Sequence, residues 1–135
     1  MNMKLRFLIF FFLPFTTTAQ TLQDGLKALD SERYREAKQI FSRLIAKEPT
    51  NAELLYYKGR VHQALAEKDS AKMMFNKGIA VNAKLPYNYI GLGSIQLDEK
   101  DTIQAKANFD KAVAAAPKDA KVFMLTGEAW ASTSG

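Results

Sequence analysis

Catalysis needs a base, a nucleophile or a metal, and few residues of this chain offer one. His62 is the single histidine, and cysteine is absent. Those two counts exclude a thiol nucleophile, a disulfide-stapled scaffold, cysteine-based zinc or iron–sulfur sites and a histidine-rich metal centre. The carboxylates of Glu53, Glu67, Asp69, Asp98 and Glu99 fall near expected helix ends, where capping and the helix dipole account for them. Gly91-x-Gly93 sits in a stretch of helical period. It is followed by Ser94 and Ile95, not by the further glycine or lysine of a phosphate-cradling loop. His62 itself lies one turn after Gly59 on the packing side of its helix, so it reads as a structural imidazole. Nothing joins a nucleophile to a base and an orienting acid. The expectation is a protein that is not an enzyme and needs no cofactor or metal.

The elements that carry these residues are bounded by composition. At 135 residues, 47% hydrophobic and 24% charged, the chain is of ordinary globular make-up and roughly one domain in size. Its 19 Lys and Arg exceed 14 Asp and Glu, a net charge of +5. Part of that excess belongs to an N-terminus ordered like a secretory leader. Lys4 and Arg6 come first without an acid, then the apolar run Phe7 to Phe15, then the small polar stretch Thr16 to Ala19. The cations hold the start on the inner side of the membrane while the apolar run enters the translocon. That run is too short to cross a bilayer core, which takes about 20 residues. Without cysteine, lipid attachment is excluded too. A leader over residues 1–19 is therefore expected, with an exported chain from Gln20 onward in the periplasm or cell envelope. Without the leader the net charge falls to +3. The remaining cations, such as Lys38, Arg43, Lys72 and Lys106, alternate with acids, so no nucleic-acid partner is expected.

Internal repetition decides the architecture. Gly25, Gly59, Gly93 and Gly127 are 34 residues apart, as are Ala37, Ala71 and Ala105, and Phe41, Phe75 and Phe109. Pro49 and Pro117 stand two periods apart, with Ala83 between them. Three residue types recurring in phase mean a repeated structural unit. Leu55, Gly59 and His62 share one helical face, and after Glu67 to Ser70 a second helix carries Ala71, Met74, Phe75 and Gly78. The next unit repeats this with Tyr89, Gly93 and Gln96, then Ala105, Phe109 and Ala112. Helical period throughout, with no alternating stretch, predicts an all-α chain. Thr50 and Glu53 have the spacing of a capping box, Asp101 and Gln104 the same, and Asp69 and Ser31 are candidate caps for second helices. Pro49 and Pro117 should stop second helices.

The small residues have a mechanical purpose. A helix-interior glycine costs ~1 kcal/mol against alanine, so four in phase must be compensated by close packing. A single hairpin buries too little apolar surface alone, whereas stacked hairpins share a continuous core. With its 34-residue period of Gly, Ala, Phe and Pro, the chain resembles the tetratricopeptide repeat. The resemblance covers 18–51, 52–85 and 86–119 as full repeats and 120–135 as the first helix of a fourth, without insertions. Ala83, Thr21 and Gln96 depart from the family pattern. Because the last segment is apolar at Val122, Phe123, Met124, Leu125 and Trp130, the chain is expected to be the N-terminal part of a longer protein.

The resemblance implies a right-handed α-solenoid of helix-turn-helix hairpins whose concave face, lined by first helices, holds a protein segment. The positions matching that face are Leu22, Leu26 and Leu29, then Tyr56, Arg60 and Gln63, then Tyr87, Ile90, Ser94 and Leu97, then Met124 and Glu128. Tyr and Arg are the usual anchors of interfaces, and Tyr56, Arg60, Tyr87, Ile90 and Leu97 suit a peptide with an apolar anchor and an acidic group. Family members that grip the C-terminal carboxylate of cytosolic heat-shock chaperones use Lys and Asn where Leu22 and Leu26 stand, so that clamp is absent. The implied function is a non-catalytic interaction scaffold of the cell envelope. A structural spacer for a downstream anchoring, sensor or enzymatic domain is the other reading.

Overall fold

The computed structural model describes residues 19–132. The expected leader lies outside these residues except for Ala19. The described chain folds as seven helices and no strand. They are α1 (Leu22–Asp30), α2 (Tyr34–Lys47), α3 (Ala52–Ala64), α4 (Lys68–Val81), α5 (Tyr87–Asp98), α6 (Thr102–Ala115) and α7 (Ala120–Ala131). The second helices stop as expected, each two residues before its proline, Pro49 or Pro117. α4 ends at the equivalent point although Ala83 replaces the proline.

The starts differ in part from expectation. Asn51, not Thr50, caps α3, its side chain accepting from the N–H groups of Glu53 and Leu54. Asp101 does cap α6, accepting from the Gln104 N–H at 3.1 Å. Ser31 instead ends α1, and Asp69 lies inside the first turn of α4; α2 and α4 have no side-chain cap. The full capping box is Thr21 with Asp24, which opens α1. Two bonds from Thr21 hold the Asp24 carboxyl below its ordinary value, the backbone one first.

Consecutive helices pack as hairpins, and the first helices also touch one another: α1 with α3, α3 with α5, α5 with α7. No such contact joins α2 to α4 or α4 to α6. The row whose members touch is the inner row of a curved stack, so α1, α3, α5 and α7 line the concave side. Phe41, Phe75 and Phe109 fill the space between rows, with Ala37, Ala71 and Ala105 fully buried beside them. A Cβ at Gly25 would come within 2.8 Å of the Phe41 ring, and one at Gly93 within 2.5 Å of Phe109. Phe75 likewise lies on Gly59. The expected Gly-to-Phe packing therefore holds in all three hairpins. Gly127 is different, with nothing within 4 Å.

Each hairpin turns through a left-handed residue, and these too are 34 apart: Glu32 (φ 58°), Ala66 (φ 59°) and Lys100 (φ 66°). The next amide returns to the helix in each case, Arg33 to Ala28 at 2.8 Å, Glu67 to His62 at 2.9 Å and Asp101 to Gln96 at 2.8 Å. That is the Schellman closure, which satisfies carbonyls a helix end would leave orphaned. Neighbouring repeats are tied by ion pairs from lysines 34 residues apart, Lys38 to Glu67 at 2.8 Å and Lys72 to Glu99 at 2.6 Å, although the two acids are 32 apart.

Candidate functional site

The inner helices shape a cleft of about 430 Å³ across α3, α5 and α7. Successive turns of α3 bring Tyr56, Arg60, Gln63 and Ala64 to one wall. Ile90, Gly91, Ser94 and Asp98 of α5 form the floor, and Leu125, Glu128, Ala129 and Ser132 the far wall. Five of the residues expected from sequence thus converge: Tyr56, Arg60, Gln63, Ile90 and Ser94. Glu128, matched to the concave face from sequence, joins them.

Tyr87 and Leu97 do not line this cleft. Leu97 is only 2% exposed and packs with Ala105 and Phe109 between α5 and α6, so its side chain belongs to the core. Tyr87 stands beside the cleft, its ring 5.5 Å from that of Tyr56. Its hydroxyl donates to Asp119 at 3.2 Å, and the Lys121 ammonium lies 5.1 Å from its ring centre. Burial, then the Asp119 carboxylate, raises the Tyr87 phenol above its ordinary value. Leu29 is buried, and Leu22 and Leu26 pack half-buried against the core of the first hairpin, so these three cover their own repeat.

The cleft has a buried aromatic base and a charged rim. Tyr56 is 7% exposed and touches Phe75, ring centres 6.1 Å apart. Burial pushes its phenol above 10.0, with the neighbouring Arg60 cation opposing that rise. Ser94 donates to the Ile90 carbonyl at 2.9 Å, so its hydroxyl is already bonded within α5. Arg60 is exposed on one wall, facing a cleft that also holds Asp98 and Glu128. Asp98 was not expected here. Its position at the end of α5 fits a helix-end charge equally well, and only the curvature of the stack brings it to the cleft.

A second, larger hollow of about 780 Å³ lies outside, between Arg35, Lys38, Gln39, Ser42 and Arg43 of α2 and Leu65 and Glu67 of the next turn. Lys38 and Glu67 pair across it, so its charges serve the junction between repeats. His62 joins that junction. It is 6% exposed, and its Nδ1 lies 2.5 Å from Glu67 Oε2. The imidazole is thus held in the packing, away from the cleft. Among the described residues no three His, Asp or Glu side chains group as metal ligands, and no helix is long and apolar enough to cross a membrane.

Comparison with known proteins agrees with this geometry. No curated sequence matches the chain. Solved structures do match. The first repeat domain of Spaghetti (RPAP3) bound to the HSP90 peptide SRMEEVD has a TM-score of 0.69 at 16% identity, covering 84% of this chain and 90% of that one. The type III secretion translocator chaperone SycD of Yersinia enterocolitica has a TM-score of 0.71 at 16% identity, covering 81% and 83%. PcrH in complex with the chaperone-binding region of PopD has a TM-score of 0.69 at 20% identity, covering 81% and 82%. At these identities the likeness is one of fold. Sequence models described as tetratricopeptide repeat match residues 28–87 and 87–119. With the 34-residue period, the Gly-on-Phe hairpins and the continuous inner row, these matches establish that the chain belongs to the tetratricopeptide-repeat family.

Proposed function

We propose that the chain is a non-catalytic scaffold that holds a segment of a protein partner in the cleft across α3, α5 and α7. The observation that carries this reading is the cleft itself, with an aromatic and aliphatic base under a rim of opposed charges. Tyr56 and Ile90 offer apolar surface to an anchoring side chain, and Arg60 offers a planar pair of donors to an acidic group. Asp98 and Glu128 add a requirement the sequence did not suggest: the segment should also carry a cation. A peptide with an apolar anchor between an acidic and a basic residue fits best. Two of the related folds were solved with protein segments bound, the HSP90 peptide and the PopD region. This chain has Leu22 and Leu26 where chaperone-tail binders have Lys and Asn, so its segment is of another kind. Nucleic acid fits poorly, because tracking phosphates takes several cations and this rim has one cation against two acids.

The leader reading places this scaffold outside the cytoplasm, in the periplasm or cell envelope. Cleavage after Ala19 would spare what the fold uses, since Gln20 accepts from Arg43 at 2.6 Å and Thr21 caps α1. The test is capture of partners from envelope extract by the wild-type chain and by Arg60→Glu, an exposed change that spares the core. Loss of a partner from the variant supports the scaffold. Identical partner profiles, with the variant fully helical, favour the spacer reading.

A further inference from the structure

Along the sequence cations alternate with acids, but the fold separates them. The outer helices α2, α4 and α6 hold four, three and two Lys or Arg, against one acid each. The inner helices together hold four against five acids. Two cation series keep the 34-residue period: Lys38, Lys72 and Lys106, and Arg43, Lys77 and Lys111. The first series pairs with Glu67, Glu99 and Asp110. The second is exposed and has no acid partner among the described residues. Arg43 donates only to the neutral Gln20. Lys58 adds to this excess from the floor between α2 and α4. It is half-buried without an ion pair, and burial, then the neighbouring Lys38 and Lys77, hold its ammonium below its ordinary value.

Between the two series runs the crest of each outer helix. On α4 the crest is Asp69, Met73, Asn76 and Ala80, with Lys72 on one side and Lys77 on the other. On α6 it is Ile103, Ala107, Asp110 and Ala114, between Lys106 and Lys111. Met73 is 59% exposed and Ile103 80% exposed; outside α7 they are the only exposed large apolar side chains among the described residues. The two crest acids are offset. Asp110 pairs with Lys106 at 2.6 Å, and Asp69 lies in the first turn of α4, where the helix dipole favours an acid.

We propose that the outer row docks on the anionic headgroup surface of a lipid bilayer, with Met73 and Ile103 entering the acyl boundary and Arg43, Lys77 and Lys111 reaching phosphates beside them. Apolar residues flanked by long cations suit a lipid interface, because the stems cover apolar surface while the charges stay with the headgroups. A polyanion in water, such as a nucleic acid, would use the cations and gain nothing from Ile103. The face lies opposite the cleft, so docking leaves the inner row open and does not depend on what the cleft binds.

Cosedimentation with lipid vesicles tests this. The chain from Gln20 onward is used, so that the apolar run Phe7 to Phe15 cannot itself enter the lipid. Vesicles of phosphatidylcholine with roughly 30 mol% phosphatidylglycerol should bind it at least about tenfold more tightly than phosphatidylcholine alone. Raising salt from about 0.05 M to about 0.5 M should release most of the bound chain. Lys77→Glu combined with Lys111→Glu should weaken binding at least about tenfold, with helicity kept. Ile103→Ser, which changes no charge, should weaken it about fivefold. Arg60→Glu on the inner row should leave it unchanged. No binding to the anionic vesicles, equal binding to both compositions, or a double variant that binds like wild type overturns the proposal. So does binding indifferent to Ile103→Ser and matched by soluble dextran sulfate, which would assign the face to polyanions in water.

Discussion

The ring of Phe75 occupies the space that a side chain at Gly91 would need, while Gly59 presses on the same ring from its own hairpin. One phenylalanine is thus clamped between glycines of two successive first helices, and the angle between the second and third repeats depends on it. Phe75 is fully buried and has nowhere to turn. Gly91→Ala should therefore overpack the junction and destabilise the chain by about 1–3 kcal/mol. Urea unfolding checks this. An unchanged midpoint would mean that the ring yields freely.

Ala66 gives a prediction of opposite sign. It adopts φ 59° at the turn between α3 and α4, a conformation an L-residue enters at a cost and glycine enters freely. Ala66→Gly should raise stability by about 0.5–1 kcal/mol, the gain at the turn exceeding the added freedom of the unfolded chain. Thermal unfolding should show a higher midpoint.

How far the fold was legible depends on the residue. The Gly, Ala and Phe series was legible because it records contacts, and contacts recur with the unit. The turns were not, because Glu32, Ala66 and Lys100 share no chemistry; hairpin packing imposes their left-handed backbone. The capping error at α3 arose because Thr50 and Asn51 are both good caps and adjacent. Which one serves depends on where the chain leaves the turn after Pro49. Within the site, Leu97 shares the helical spacing of Ile90 and Ser94, but the end of α5 is covered by α6, so Leu97 sinks into the core. Asn88 left no signal at all. It occupies the register of Leu54 and Val122, yet is fully buried opposite Gly78, donating to the Ala52 carbonyl at 3.2 Å.

The junction of Lys38, Glu67 and His62 predicts a pH dependence. Bonds from Lys38, then His62, hold the Glu67 carboxyl below its usual 4.5. A carboxyl depressed in the folded state contributes stability that is present above its unfolded value and lost as pH falls through the folded one. The stability difference between wild type and Glu67→Gln should thus be largest near neutral pH and shrink below about pH 4.5. Urea midpoints of both proteins across that range check it. A gap that stays constant in acid would show that the charge of Glu67 does not tie the repeats.

If the leader reading holds, chain recovered from the envelope fraction should begin at Gln20 and keep α1 intact. Intact-mass measurement reads this directly. Most molecules retaining Met1 to Ala19 would contradict export by cleavage.

The central claim is that the inner row, and not the outer one, receives the partner. Site-specific photocrosslinking measures it most directly, with a photoreactive phenylalanine placed at Ser94 on the cleft floor or at Lys111 on the exposed side of α6. The account predicts a covalent adduct with a protein partner from Ser94 and none from Lys111. An adduct from Lys111 alone, or equal adducts from both positions, would contradict it.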